Sequence, residues 1–563
     1  MDQFSPEQPQ FLIEDSKQAY YLAATEDLTR SHFREYPRRA DGSSAVDHIS
    51  RIIELYDSHL GLEPPAGLIA ATYLHDRVEC LYKSDHPEEQ AQLLQDLQTL
   101  YNIDSETTQY ALGIALSAIK FEEAAEAWRG EVQQILLNST HPDFETLKLH
   151  LNSIIEKQQS TLTTEDLQIR MAQAIKNGKN NISRELLQWR APMGDIEAMA
   201  NILQIWDIEG LILKTAEVMD NLRHPNPQRP ASAWRDAQEL LSFYAPLLEM
   251  ADFQHLSREA YSYAYRYLNN DPEFFPKNET GEQVPYITPT EEEMDRIRRA
   301  YSLYQEGLNF DPEIASLFPV TIESRGQRLR DILGTAEGRI EGRIKHVGSI
   351  IEKLKKGKVP DIIGYKLVLP NTYTYPDLKN LVNSLIEQIL QDPVLGLVPG
   401  HARESEPVVQ VNMPEVTQKA KQVITVNHTS LEVHESPPRP ASEYSAVHIN
   451  FYYYSENGER IGVEIQIARD KEDMENTKGK GHHVFYKAAK GIGSIARMRR
   501  DMMQDPSTAQ EAYNYMISYI LSIMGGIEER VKVFQEETRS QKLSEASFQE
   551  VQNFLRYFNI NNT

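Results

Sequence analysis

Gly342-Arg343-Ile344-Lys345-His346-Val347-Gly348-Ser349-Ile350, with Lys353 just beyond and then Pro360-Asp361-Ile362-Ile363-Gly364-Tyr365-Lys366-Leu367, is the stretch that decides how the second half of this chain folds. It reads as strand, helix, strand. A strand ending at Arg343 and Lys345 aims both cations to one face, and Ser349 and Lys353, one helical turn apart, share another. Four donors converge in this way. The mixture suits a triphosphate, because arginine offers a planar fork and lysine a mobile point charge. Asp361 opens an apolar run, a strand position where aspartate is uncommon without chemistry to perform.

Outward from this stretch, residues 375–390 have helical periodicity, while 446–454 and 460–467 are β-rich, so this half reads as mixed α/β. In Val463-Glu464-Ile465-Gln466-Ile467 the alternation puts Glu464 and Gln466 on the face opposite the core. Carboxylates on two strands, Asp361 and Glu464, are sufficient in kind for magnesium, which takes few carboxylates and completes its shell with phosphate oxygens and water. Tyr444 and His448 share one strand face, where an exposed aromatic can stack on a base. His483 and Lys487 add further phosphate contacts. Residues 400–442 are polar and carry Pro437-Pro438-Arg439-Pro440, which predicts a long irregular connection with one strand near 423–426. Gly491-Ile492-Gly493-Ser494-Ile495-Ala496 spells a dinucleotide fingerprint but follows a helical, basic stretch instead of a strand, so the required context fails.

The first half is different in texture. Residues 14–268 show apolar spacing of three and four, with Pro/Gly breaks at 62–67 and 225–230, and read as all-α. Residues 269–289 are rich in Pro, Asn and Gly and end at Thr290, with Glu293 placed as its capping-box partner. The main domain boundary is expected there. His75 and Asp76 lie on a predicted helix, and His48 stands at the start of an earlier one. Two histidines and a carboxylate, joined by a distant acid, make an octahedral site for manganese or a similar ion.

Composition bounds these readings. At 563 residues the chain exceeds one core, since domains run to about 100–200 residues. Its single cysteine, Cys80, excludes an internal disulfide and a cysteine-rich zinc cluster, which predicts a reducing, cytoplasmic setting. Met1–Pro6 shows no basic or apolar leader region, and the longest apolar stretch, near 67–74, falls far short of the roughly 20 residues of a membrane span. No membrane partner is expected. A net charge of −25 argues against broad nucleic-acid binding and makes local exceptions informative. Residues 325–358 hold ten Lys/Arg against four Asp/Glu, and 478–500 hold seven with no acid, two basic islands fit for small polyphosphates.

Taken in order, the run from Gly342 to Lys353, the Asp361 strand, Tyr444 with His448, Glu464 with Gln466, and His483 with Lys487 resemble the synthetase domain of the RelA/SpoT family. The resemblance implies that Arg343, Lys345, Ser349 and Lys353 hold ATP phosphates, that Asp361 and Glu464 bind Mg2+, and that Tyr444 stacks on guanine with His448 and Gln466 in support. The implied reaction moves pyrophosphate from ATP to GTP or GDP and yields (p)ppGpp. Lys366 stands where the family usually has arginine. Arg39 to His48, the His75-Asp76 helix and the segment Lys214–Arg223 likewise resemble the HD-type hydrolase domain that precedes the synthetase in the long family members. That likeness implies Mn2+ or a similar ion on His48, His75, Asp76 and Glu217, nucleotide contacts from Arg39 and Asn221, and assistance to water from Glu79. Glu217 replaces the usual aspartate, and Cys80 replaces an acid.

The expected fold class is therefore multidomain, α and α+β. It comprises an all-α HD-type domain over 1–268 with a helical insertion around 85–205, a linker over 269–295, a nucleotidyltransferase-like synthetase domain over 296–505, and C-terminal helices over 506–563 as candidates for homo-oligomerisation. The alternatives are a manganese-dependent alarmone hydrolase with a silent synthetase half, and a nucleotide-sensing regulatory protein.

Overall fold

The computed structural model describes residues 16–33, 43–60, 64–83, 87–137, 202–226, 230–277, 282–283, 289–315, 324–355, 361–400, 408–426, 429–438, 444–455, 457–478 and 543–558. Arg39, His483, Lys487, most of the expected insertion and residues 506–542 lie outside them. The architecture is α-rich in the first half, with a mixed sheet in the second. Among the described residues no helix is long and apolar enough to cross a membrane.

The helices are α1 (Ser16–Phe33), α2 (Ala45–His59), α3 (Ala66–Lys83), α4 (Pro87–Ile103), α5 (Ser105–Leu137), α6 (Ile208–Arg223), α7 (Pro230–Glu239), α8 (Ala245–Met250), α9 (Gln254–Leu268), α10 (Glu291–Phe310), α11 (Arg325–Gly334), α12 (Val347–Lys355), α13 (Tyr375–Gln391), α14 (Asp470–Lys478) and α15 (Glu545–Tyr557). The strands are β1 (Arg339–Ile344), β2 (Asp361–Leu369), β3 (Val398–Pro399), β4 (Val409–Asn412), β5 (Ala420–Val426), β6 (Thr429–Ser436), β7 (Ala446–Tyr454) and β8 (Arg460–Arg469). Several helix starts are written locally. Ser44 with Asp47, Thr290 with Glu293 and Thr374 with Asp377 each form a capping box that satisfies orphan amide donors.

The chain divides into two compact units. One comprises residues 1–130, 201–220 and 527–563; the other comprises 131–200 and 221–526. In this division α9 falls in the second unit, where the backbone of Ser262 lies so close to Gly348 on α12 that a side chain there would strike it.

In the first unit α1 to α4 pack on one another through residues such as Tyr21, Tyr56, Leu68 and Leu97, all buried. The end of the chain joins them. Ser547 on α15 meets Ser117 on α5 at 2.8 Å, the amide of Ser544 donates to Asp207 at 2.9 Å, and Leu543 lies over Gly113. Val551, Phe554 and Leu555 are buried within this unit, so the apolar face of α15 is used inside the chain.

The second unit is built on an eight-stranded sheet ordered β1-β2-β8-β7-β4-β6-β5, with β3 paired to one end of β7. The pairs β2/β8 and β4/β6 are parallel and the others antiparallel. Residues 400–442 thus hold three strands where an irregular connection with one was expected. Their alternation, as in Val409-Gln410-Val411 and Leu431-Glu432-Val433, spans too few residues to stand out from a polar background. One sheet face forms the core. Tyr365, Leu367, Val463, Ile465, Ile467, Val447 and Ile449 pack there with Leu303 of α10, Leu329 of α11, Ile350 of α12 and Leu385 of α13.

Candidate functional site

The opposite face of the sheet gathers most of the charged residues that the sequence singles out. Strand register aligns Arg343, Gly364, Glu464 and Asn450 across β1, β2, β8 and β7, with Lys366, Gln466 and His448 in the adjoining row. Side chains alternate in β8: Val463, Ile465 and Ile467 are buried, whereas Glu464 and Gln466 keep partial access. Asp361 pairs with Gly462, two positions from Glu464, and a register shift between Asp361 and Ile363 breaks the alternation that would otherwise turn Asp361 the same way as the core residues Ile363 and Tyr365.

Gly364 makes the row possible. An ideal Cβ at that position would sit 2.9 Å from Arg343 Nε, so the arginine crosses a bare spot on β2 and brings Nη2 to 3.8 Å from Glu464 Oε2. His448 Nδ1 donates to Glu464 Oε1 at 3.0 Å, and Gln466 Nε2 donates to Oε2 at 2.9 Å. Tyr444 donates to Gln466 at 3.4 Å, its ring 5.9 Å from that of His448. Tyr444 is half-buried, not exposed as expected. Burial pushes the Glu464 carboxyl up, but the His448 hydrogen bond and the charges of His448 and Arg343 outweigh it and hold the group at about 2.

Asp361 anchors the other end. Lys345 donates to its Oδ2 at 2.7 Å and to its carbonyl oxygen at 3.0 Å, and Lys353 reaches its Oδ1 from α12. Burial opposes ionisation of Asp361, yet these two ammonium groups hold its carboxyl well below the usual range. Burial also pushes Lys345 down, and the nearby Lys353 and Arg343 add to the effect against the pull of Asp361. The charge of Asp361 is felt at Glu464, so the two acids share one neighbourhood. Two ionised oxygen donors from adjacent strands fit a hard divalent ion such as Mg2+. Ser349 lies one turn before Lys353 on α12.

The sequence reading missed what α9 contributes. Glu259 pairs with His346 Nδ1 at 2.6 Å and so fastens the loop between β1 and α12. Arg258, beside it, is mostly buried; desolvation and the neighbouring Arg343 guanidinium both lower its pKa. Lys366, the expected arginine position, pairs with Asp473 of α14 and with Glu341 at 3.6 Å.

A second constellation lies in the helical unit. Single ligating atoms of His48, His75 and Asp76 all fall within 4.8 Å of one another. His75 Nδ1 donates to the Thr72 carbonyl at 2.6 Å, which leaves a lone pair on Nε2; that nitrogen is buried without a hydrogen-bond partner, 3.2 Å from Asp76 Oδ1. An orphaned imidazole nitrogen facing a carboxylate fits a transition-type divalent ion. His48 Nδ1 meets Asp220 Oδ2 at 2.6 Å. Glu217, expected as the last ligand, accepts from Lys214 Nζ at 3.1 and 2.9 Å and lies outside the donor group. Glu79 follows His75 by one turn on α3, and Asn221 follows Asp220 on α6. No model of a known family matches the chain, and no curated protein matches it.

Proposed function

We propose that the polar face of the sheet transfers pyrophosphate from ATP to the 3′-hydroxyl of GTP or GDP. A bond forms between the 3′-oxygen and the β-phosphorus, the bond from that phosphorus to the α-β bridging oxygen breaks, and AMP leaves. One observation carries the reading: Arg343 pairs with Glu464, Lys345 and Lys353 pair with Asp361, and the two clusters are near enough for Asp361 to be felt at Glu464 and Arg343 at Lys345. The resemblance of these motifs to the RelA/SpoT synthetases supports it.

A triphosphate competes with Asp361 for the ammonium heads of Lys345 and Lys353, and Arg343 offers its fork across Gly364. Asp361 and Glu464 are the residues that would hold Mg2+, whose contribution is to neutralise phosphate charge. With its carboxyl held at about 2, Glu464 is too weak a base to drive deprotonation, so it orients the acceptor hydroxyl. The proton leaves to solvent. Positioning and charge neutralisation supply the acceleration, as in other phosphoryl-type transfers.

Supplying labelled ATP with each purine nucleotide in turn tests the proposal. AMP and a 3′-pyrophosphorylated guanine nucleotide are expected, and Glu464→Gln is expected to abolish both without unfolding the protein. ATP that yields no AMP with any acceptor sinks the reading.

The orphaned Nε2 of His75 favours a second activity in the helical unit, manganese-dependent removal of the 3′-pyrophosphate from (p)ppGpp. Incubation with guanosine tetraphosphate and Mn2+ tests it, with His75→Ala as the control. Release of pyrophosphate that survives this substitution excludes the site.

A further inference from the structure

The helix α6 carries two acids near its end, Glu217 and Asp220, three residues apart and so on neighbouring parts of one face. Their partners differ. Both oxygens of Glu217 accept from the buried Lys214 ammonium, which also pairs with Glu122 at 3.0 Å. An ion on Glu217 would have to sit beside the Lys214 ammonium that both its oxygens already accept from, and the repulsion between the two cations opposes ligation there. Asp220, only 3% exposed, instead faces the back of His48: its Oδ2 stands 2.6 Å from Nδ1. Arg51 grips both oxygens of the same carboxylate, with Nε to Oδ1 at 2.6 Å and Nη2 to Oδ2 at 2.9 Å, and so fixes its orientation.

We infer that Asp220 is the α6 carboxylate that serves the metal centre, as a positioning residue acting through His48, and that Glu217 is not a ligand. This rests on the metal-centre reading of the helical unit. With Asp220 accepting from Nδ1–H, His48 is held in the tautomer whose Nε2 carries the lone pair, matching His75, where the Thr72 carbonyl does the same work. The carboxylate also strengthens the imidazole as a donor. Two histidines are thus set to present the same nitrogen, one by a backbone carbonyl and one by a side chain clamped from α2. Among the described residues three donors, His48, His75 and Asp76, gather at the site, and phosphate oxygens and water can complete the coordination.

The test uses the whole chain and the ions alone: Mn2+ by calorimetric titration and Co2+ by its visible absorption. Asp220→Asn is expected to weaken Mn2+ binding by roughly 10–100-fold and to alter the Co2+ spectrum at saturation, while Glu217→Gln shifts affinity by less than about threefold and leaves the spectrum alone. Should Asp220→Asn fail to fold, Arg51→Gln loosens the same carboxylate from a partly exposed position and is expected to weaken binding several-fold. Wild-type affinity in Asp220→Asn, or in Arg51→Gln where that variant stands in, overturns the inference, as does a Glu217→Gln loss equal to that of Asp220→Asn. The underlying reading fails separately: it falls if the wild-type chain binds neither ion or if His75→Ala binds as tightly as wild type. Binding that His75→Ala abolishes and Asp220→Asn leaves intact removes only the role given to Asp220.

Discussion

Replacing Gly364 with alanine separates what the sheet needs for stability from what its polar face needs for chemistry. The new Cβ would stand 2.9 Å from Arg343 Nε, 3.2 Å from Cγ and 3.6 Å from Cδ, so the arginine must give by about half an ångström to reach ordinary contact. Its Nη2 lies 3.8 Å from Glu464, near the limit of an ion pair, and that displacement breaks the contact. The fold loses little. Arg343 is 48% exposed, and an ion pair with so open a partner contributes about 1 kcal/mol at most. Alanine in a strand returns about 0.5–1 kcal/mol relative to glycine through the entropy of the unfolded chain, so the two effects nearly cancel. Phosphate positioning is less forgiving, because errors of about 1 Å in placement cost on the order of a hundredfold in rate. Gly364→Ala should therefore melt within about 3 °C of wild type, while kcat/KM for AMP release falls by more than about tenfold. Calorimetry and the labelled-ATP assay read the two quantities. Unchanged activity would refute the claim that Arg343 works across this bare spot, and a large loss of stability would show that the clash is borne by the backbone.

The Glu464 carboxyl, held at about 2 against an ordinary 4.5, contributes stability that is fully present above pH 4.5 and lost as the pH falls towards 2. The whole contribution is about 3 kcal/mol, of which nearly 1 kcal/mol is gone by pH 4. Urea unfolding at pH 7 and pH 4 should show wild type losing that much more than Glu464→Gln; equal losses would mean the group is not so held. Gly348→Ala places a Cβ 2.5 Å from the Ser262 carbonyl oxygen and 2.9 Å from its Cα, and backbone cannot yield as a side chain does. A destabilisation of about 1–3 kcal/mol is expected, seen as a melting transition lowered by several degrees, and no change would place α9 and α12 further apart than described.

Much of this was legible because it is local. Thr290 with Glu293 announces α10 by hydrogen bonds three residues long, and alternation around Glu464 fixes which way that side chain points. The cations of Arg343, Lys345 and Lys353 are readable because a strand and the next helix turn place them without help from elsewhere. What escaped depends on contacts between distant segments. Nothing in the periodicity of α9 ties Glu259 to His346 or Arg258 to Arg343. Helical spacing also cannot say which of two acids three residues apart faces a histidine and which faces Lys214, since both lie on neighbouring parts of one face.

The seat of α15 on α5 bears on how the chain is made. The unit that holds His48 and His75 is assembled from residues 1–130, 201–220 and 527–563, so its last piece leaves the ribosome only after the whole of the other unit. Until then Gly113 and Ser117 lack the cover of Leu543 and Ser547. A fragment stopping short of residue 543 would carry an open apolar seam along α5, which closes only once residues 543–558 have been made.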